Sequence, residues 1–141
     1  MKWELLLIDD EPCILNALAE LLTDDEITVT TAKNGLEGLK LLKEKNFDVV
    51  VSDISMPLMD GPSMFSEARA SGIFVPVIFF SASADSNLIQ KLKIAGAKAI
   101  VQKPYFEKLS AEINSVLVKK EFRLPLPMIK DSLIQLAARQ D

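Results

Sequence analysis

The sequence predicts an open three-layer α/β sandwich, with five parallel strands in one doubly wound sheet and a helix after each strand. Three observations predict it. Strand-length apolar runs alternate with longer amphipathic ones along most of the 141 residues. Most of those short runs are apolar at consecutive positions, as expected when helices cover both faces of a parallel sheet. A strand, crossover helix, parallel strand connection is also right-handed almost without exception, so five βα units in series leave few other arrangements.

The elements follow in order. Leu5-Leu6-Leu7-Ile8 makes the first strand, and Pro12 suits the first turn of the helix after it. Ile14, Leu18, Leu21 and Leu22 are spaced four, three and one apart, which puts one stripe inward, and the lone Cys13 reads as a small core side chain on the same helix. Ile27 to Thr31 is the second strand and residues 35–45 the second helix. Phe47 to Ser52 is the third strand, followed by a helix over 62–71 that Pro62 opens and Gly72 stops. Val75 to Phe80 is the fourth, followed by a helix over 86–95 that Gly96 stops. Ala99 to Val101 is the fifth, and the last helix shows the inward stripe Leu109, Ile113, Val116, Leu117.

After about Val118 the character changes. Leu124-Pro125-Leu126-Pro127 cannot continue a helix. Ile129, Leu133, Leu136 and Ala137 then mark a short amphipathic helix of about three turns, too short to be stable alone in water. Residues 1–120 therefore read as one domain, and 121–141 as a Pro-broken linker plus a helix that packs on its own domain or frays, or else meets a second copy or a partner.

Composition removes whole classes of chemistry. With no histidine there is no Ser/His/Asp triad, no Cys/His dyad and no histidine-ligated zinc, and one cysteine builds neither a thiolate cluster nor an internal disulfide. The net charge of −4 and a pI near 4.9 speak against direct DNA or RNA binding, which wants a basic patch. The longest apolar run, Ile73 to Phe80, is interrupted by Pro76 and is far short of the ~18 residues of a membrane span. The amino-terminal layout is not that of a cleaved signal peptide, and a reducing cytoplasm is the expected compartment. Carboxylates, hydroxyls and lysine are left to carry the chemistry.

In an open parallel sheet, ligands collect beyond the carboxyl ends of the strands. Those ends carry Asp9-Asp10-Glu11 after the first strand, Asp53 after the third, Ser81 after the fourth and Lys103 after the fifth. Singly, each has an ordinary explanation: helix-capping acids, a turn hydroxyl, a solvated lysine. Asp53 is the exception, because an acid directly after the buried run Val49-Val50-Val51-Ser52 is costly without partners. Adjacent carboxylates push one another toward protonation, and a hard divalent cation with oxygen ligands relieves that. Magnesium takes one or two carboxylates, several waters and a phosphate oxygen, which Asp10, Asp53 and an incoming phosphoryl group would supply, with Asp9 close by.

The motifs Asp9-Asp10-Glu11-Pro12, Asp53-Ile-Ser-Met-Pro-Leu-Met-Asp-Gly61, Ser81-Ala82 and Lys103-Pro104 resemble those of the receiver domain of two-component response regulators, in register over roughly residues 3–120. The resemblance implies the flavodoxin-like strand order 2-1-3-4-5. It implies that Asp53 is the phospho-acceptor, supplied by a phosphohistidine on a sensor histidine kinase or histidine phosphotransfer protein. It further implies that Asp10 binds Mg²⁺ directly, Asp9 directly or through water, and Ser55 through its backbone carbonyl. Lys103 would contact the phosphoryl oxygens, Ser81 would be the switch hydroxyl, Lys103-Pro104 would be a cis peptide, and Gly61 would serve the turn closing the acceptor loop. One position departs from the pattern: Ile100 stands where many relatives carry Tyr or Phe. Isoleucine is stiff at χ1 and has no hydroxyl, so Ser81 movement is expected to pass through the backbone and packing of residues 82–95.

The expected role is a phospho-accepting switch, not an enzyme, with at most Mg²⁺-dependent self-phosphorylation and slow autodephosphorylation. It would act on an unknown downstream effector protein, with a homodimer as one possible assembly and no membrane partner. Two rivals differ in class. A haloacid-dehalogenase-like phosphohydrolase would need an acid two residues after its nucleophile, where this chain has Ser55. A phosphorylation-independent interaction module would not need the complete set of acids and lysine. Gly35-Leu-Glu-Gly38 is no dinucleotide fingerprint.

Overall fold

The computed structural model describes residues 2–121. Their order is β1(Trp3–Ile8), α1(Pro12–Leu22), β2(Ile27–Ala32), α2(Gly35–Glu44), β3(Val49–Ser52), α3(Gly61–Ala70), β4(Val77–Ser81), α4(Ser86–Ile94), β5(Ala99–Gln102) and α5(Phe106–Glu121). All strands are parallel in the order β2-β1-β3-β4-β5, the expected doubly wound sheet. The expected helix over 129–137 and the linker before it lie outside the described residues.

Alternation along each strand sorts side chains onto two faces. Leu5, Leu7, Val49, Val51, Ile78 and Phe80 pack with Leu15, Leu18 and Leu22 of α1 and Leu109, Ile113, Val116 and Leu117 of α5. Leu6, Ile8, Val50, Val77 and Phe79 pack on the other face with residues of α2, α3 and α4, where Phe79 meets Phe65 edge-on at 5.8 Å. Both faces of the sheet are therefore covered. At about 1.5–3 kcal/mol per fully buried aliphatic or Phe side chain, this burial is the main force holding the layers.

Side-chain caps set three helix starts: Asn34, Asp60 and Asp85 accept from the N–H groups of Glu37, Ser63 and Leu88. Gly72 and Gly96, at φ 80° and 104°, end α3 and α4 as expected. Two expectations on α1 are corrected. Leu21 is 64% exposed and Leu15 is buried in its place, because Leu15, Leu18 and Leu22 define the inward stripe and Leu21 lies at its edge. Cys13 is exposed, two residues from Leu15 and so on the opposite side of the helix. β3 and β4 also start two residues later than their apolar runs; at β4 the delay places Pro76, which has no N–H, ahead of the strand.

Candidate acidic site at the carboxyl edge of the sheet

Register places the site. Ile8 pairs with both Ala32 and Ser52, and Ser81 pairs with Gln102, so β1, β2 and β3 end level, as do β4 and β5. The backbone then locks the next residues together: Asp53 N–H donates to Ile8 O at 2.9 Å, Asp9 N–H to Ala32 O at 3.1 Å and Lys103 N–H to Ser81 O at 2.8 Å. Side chains far apart in sequence thus meet at one rim.

Lys103 Nζ lies 2.9 Å from Asp9 Oδ2 and 3.1 Å from Asp53 Oδ2. Asp9 and Asp53 are buried, at 2% and 8% exposure. Their other oxygens accept backbone N–H groups, Glu11 on Asp9 and Ile54 on Asp53. Burial alone would lower the Lys103 pKa, but hydrogen bonds to Asp9 and Asp53, with their charges, more than offset it and hold the ammonium above its usual 10.5. Lys103 is therefore charged at neutral pH.

Asp10 is exposed at the mouth, and Asp9, Asp10 and Asp53 each offer an oxygen within 4.8 Å of the others. That all-oxygen donor set fits a hard divalent cation, whose octahedral ligands at ~2.1 Å lie about 3–4 Å apart. One ammonium among three carboxylates leaves excess negative charge at the rim, which such a cation offsets.

The remaining residues of the expected set are placed as follows. Ser81 is buried, and its hydroxyl accepts the Ser83 N–H at 3.4 Å. Ser55 is exposed in the loop after Asp53. Gly61 donates its N–H to Ile54 O at 2.8 Å, and a Cβ there would collide with Asp53 O. The Lys103-Pro104 peptide is cis. Ile100 is half-buried and, with Ser81, Ala84 and Tyr105, lines a cavity of about 470 Å³ between α4, β5 and α5.

Sequence reasoning did not foresee that Lys103 bridges Asp9 and Asp53, and it missed Gly35, whose N–H reaches the acceptor loop at Met59 O over 2.9 Å. No local pattern marks Gly35, since its partner lies in a loop 24 residues on.

A family model described as the response regulator receiver domain matches residues 5–114. The probable C4-dicarboxylate response regulator DctR of Bacillus subtilis is 37% identical over 106 residues, 74% of this chain and 47% of that protein. The chain spans about half the length of these curated relatives, DctR of Bacillus subtilis and of Priestia megaterium. Among solved structures, the Francisella response regulator 1452 receiver domain is 28% identical with a TM-score of 0.79, covering 84% of this chain and 99% of the other. Thermotoga maritima response regulator TrrA, solved in complex with Mg²⁺-BeF, is 32% identical with a TM-score of 0.72, covering 82% and 99%.

Proposed function

Since the chain belongs to the response regulator receiver domain family, whose members are signalling switches of two-component systems rather than enzymes, we propose that it accepts a phosphoryl group on Asp53 and reports it by changing its affinity for a partner. The single observation that carries this is the buried Asp53 carboxylate at the end of β3, sharing the Lys103 ammonium with Asp9 and lying near Asp10.

An Asp53 carboxylate oxygen attacks phosphorus, the P–N bond of a phosphohistidine breaks, and the imidazole nitrogen leaves with its electron pair and takes a proton from water. The acyl phosphate so formed carries about one more negative charge than the carboxylate it replaces. Lys103, already charged and within reach of Asp53, turns to the new oxygens. Asp10, Asp53, Asp9 and the Ser55 carbonyl would hold Mg²⁺, which when bound screens charge between phosphoryl group and carboxylate. Ser81 would follow as the hydroxyl that hydrogen-bonds the phosphoryl group. Ile100 cannot add an aromatic swing, so the change passes through residues 82–95, and unchanged amide exchange there on phosphorylation would count against this.

The phosphoryl donor is a histidine kinase or histidine phosphotransfer protein, since the chain has no histidine of its own. The setting is the cytoplasm; no helix of the described residues is long and apolar enough to cross a membrane. Acetyl phosphate with Mg²⁺ followed by intact mass measurement tests the proposal. Wild type should gain one phosphoryl group and Asp53→Ala none; equal gain by both, or none by wild type, sinks the reading.

A further inference from the structure

Building on the reading of Asp53 as acceptor, we infer that Gly35 is a positioning residue: its N–H and its missing Cβ hold the acceptor loop, residues 54–60, in the strained form that the cation site needs.

The strain is local and visible. Met59 N–H donates to Pro57 O at 2.7 Å, closing a three-residue turn about Leu58, whose φ is 68°. A γ-turn with positive φ at its centre is rare and strained, and leucine is a poor occupant of that region. Leu58 is also 82% exposed, so burial of its side chain does not compensate. Such a backbone persists only where its surroundings over-determine it.

Two contacts do so. Gly61 N–H on Ile54 O closes the loop on itself. Gly35 N–H on Met59 O at 2.9 Å grips it from outside, at the carbonyl next to the strained residue. A Cβ on Gly35 would lie 2.5 Å from Met59 O and 2.8 Å from Asp60 O. Both are backbone atoms, so no rotamer change relieves the clash. Gly35 φ lies outside the left-handed region, so the position demands glycine for space and not for torsion. Gly38, one turn on, differs: a Cβ there meets the Ile8 side chain and no atom of the acceptor loop.

Pushing Met59 away frees the turn to relax, and the backbone from Ser55 onward shifts with it. The expected result is a loss of Mg²⁺ affinity of about tenfold, the low end for groups that support metal ligands. The experiment titrates Mg²⁺ alone into the full chain by calorimetry, for wild type, Gly35→Ala, Gly38→Ala and Gly35→Ala with Leu58→Gly. Gly35→Ala should bind about tenfold more weakly and exchange its loop amides faster, while Gly38→Ala stays near wild type. Leu58→Gly should restore part of the loss, because glycine takes positive φ without strain, so the turn no longer relaxes and only the displacement forced at Met59 remains. A purely structural Gly35 would show no such rescue.

The inference is overturned if Gly35→Ala binds as wild type, if Gly38→Ala loses as much, or if Leu58→Gly restores nothing. Should Gly35→Ala not fold, wild type decides: exchange of the Gly35 amide should slow when Mg²⁺ is added, and an unchanged rate overturns the inference. Wild type that neither binds Mg²⁺ nor takes up phosphate from acetyl phosphate would instead overturn the reading of Asp53.

Discussion

The two ends of the sheet spend their charges differently. At the amino end, Glu4 N–H is bound by Asp48 Oδ2, Asp48 N–H returns to Glu4 O, and Lys45 lies 3.1 Å from Glu4. Arg69 donates to Ile73 O and Val75 O, both at 2.8 Å, with its guanidinium 4.5 Å from the Phe65 ring centre and 5.7 Å from that of Phe74. Those charges fasten the turns that lead into β3 and β4. At the carboxyl end, three acids gather, and the two buried ones share Lys103. One end holds the fold; the other, on the function proposed above, gathers like charges that a bound cation would offset.

Exchanging roles between the ends would break this contrast, and the largest effect should come from the amino end. Arg69→Ala loses two charge-assisted hydrogen bonds and its ring contacts, at a cost of about 2–3 kcal/mol after allowing for partial exposure, read as a lower urea midpoint. Its Mg²⁺ affinity should not change. At the carboxyl end, Mg²⁺ at a hundred times its Kd should raise wild-type stability by about 2.7 kcal/mol. Asp10→Asn should be more stable than wild type without the cation and should lose most of that gain with it, as thermal unfolding would report. An Asp10→Asn protein that is less stable in the absence of Mg²⁺ would contradict the picture of a repulsive rim.

The pH dependence sharpens the same contrast. Lys103 has a folded pKa above 10.5, so its pairing stabilises fully below the unfolded value and is lost as pH rises through the folded one. Stability attributable to Lys103 should hold through neutrality and decline only in the alkaline range. The difference in unfolding free energy between wild type and Lys103→Met, followed from pH 7 upward, should shrink above about 10.5. The smallest effect belongs to Lys45→Ala, whose pair with Glu4 is half open to solvent: about 0.5 kcal/mol by chemical unfolding.

The parallel sheet and both coverings were legible because consecutive apolar strands and right-handed crossovers admit few alternatives, whereas the strand order came from the family resemblance and not from the pattern. The rim residues were legible one strand end at a time, since Asp9, Asp53, Ser81 and Lys103 each follow or close an apolar run. Their pairing was not: that Lys103 joins Asp9 to Asp53 depends on register and side-chain reach, which no local pattern encodes. Cys13 and Leu21 were misjudged for a related reason, because an eleven-residue helix with many apolar positions allows more than one stripe until the sheet selects it. Gly35 was invisible as a positioning group, for its contact is to backbone atoms of a loop 24 residues on.

The most direct test of the central claim is chemical mapping of the phosphorylated residue. Protein treated with acetyl phosphate and Mg²⁺ is reduced with borohydride, which converts an aspartyl phosphate to homoserine, and the peptide spanning residue 53 is sequenced by mass spectrometry. Homoserine at position 53, absent when Mg²⁺ is omitted, is the expected result. An unmodified Asp53, or homoserine at Asp9 or Asp10 in its place, would contradict it.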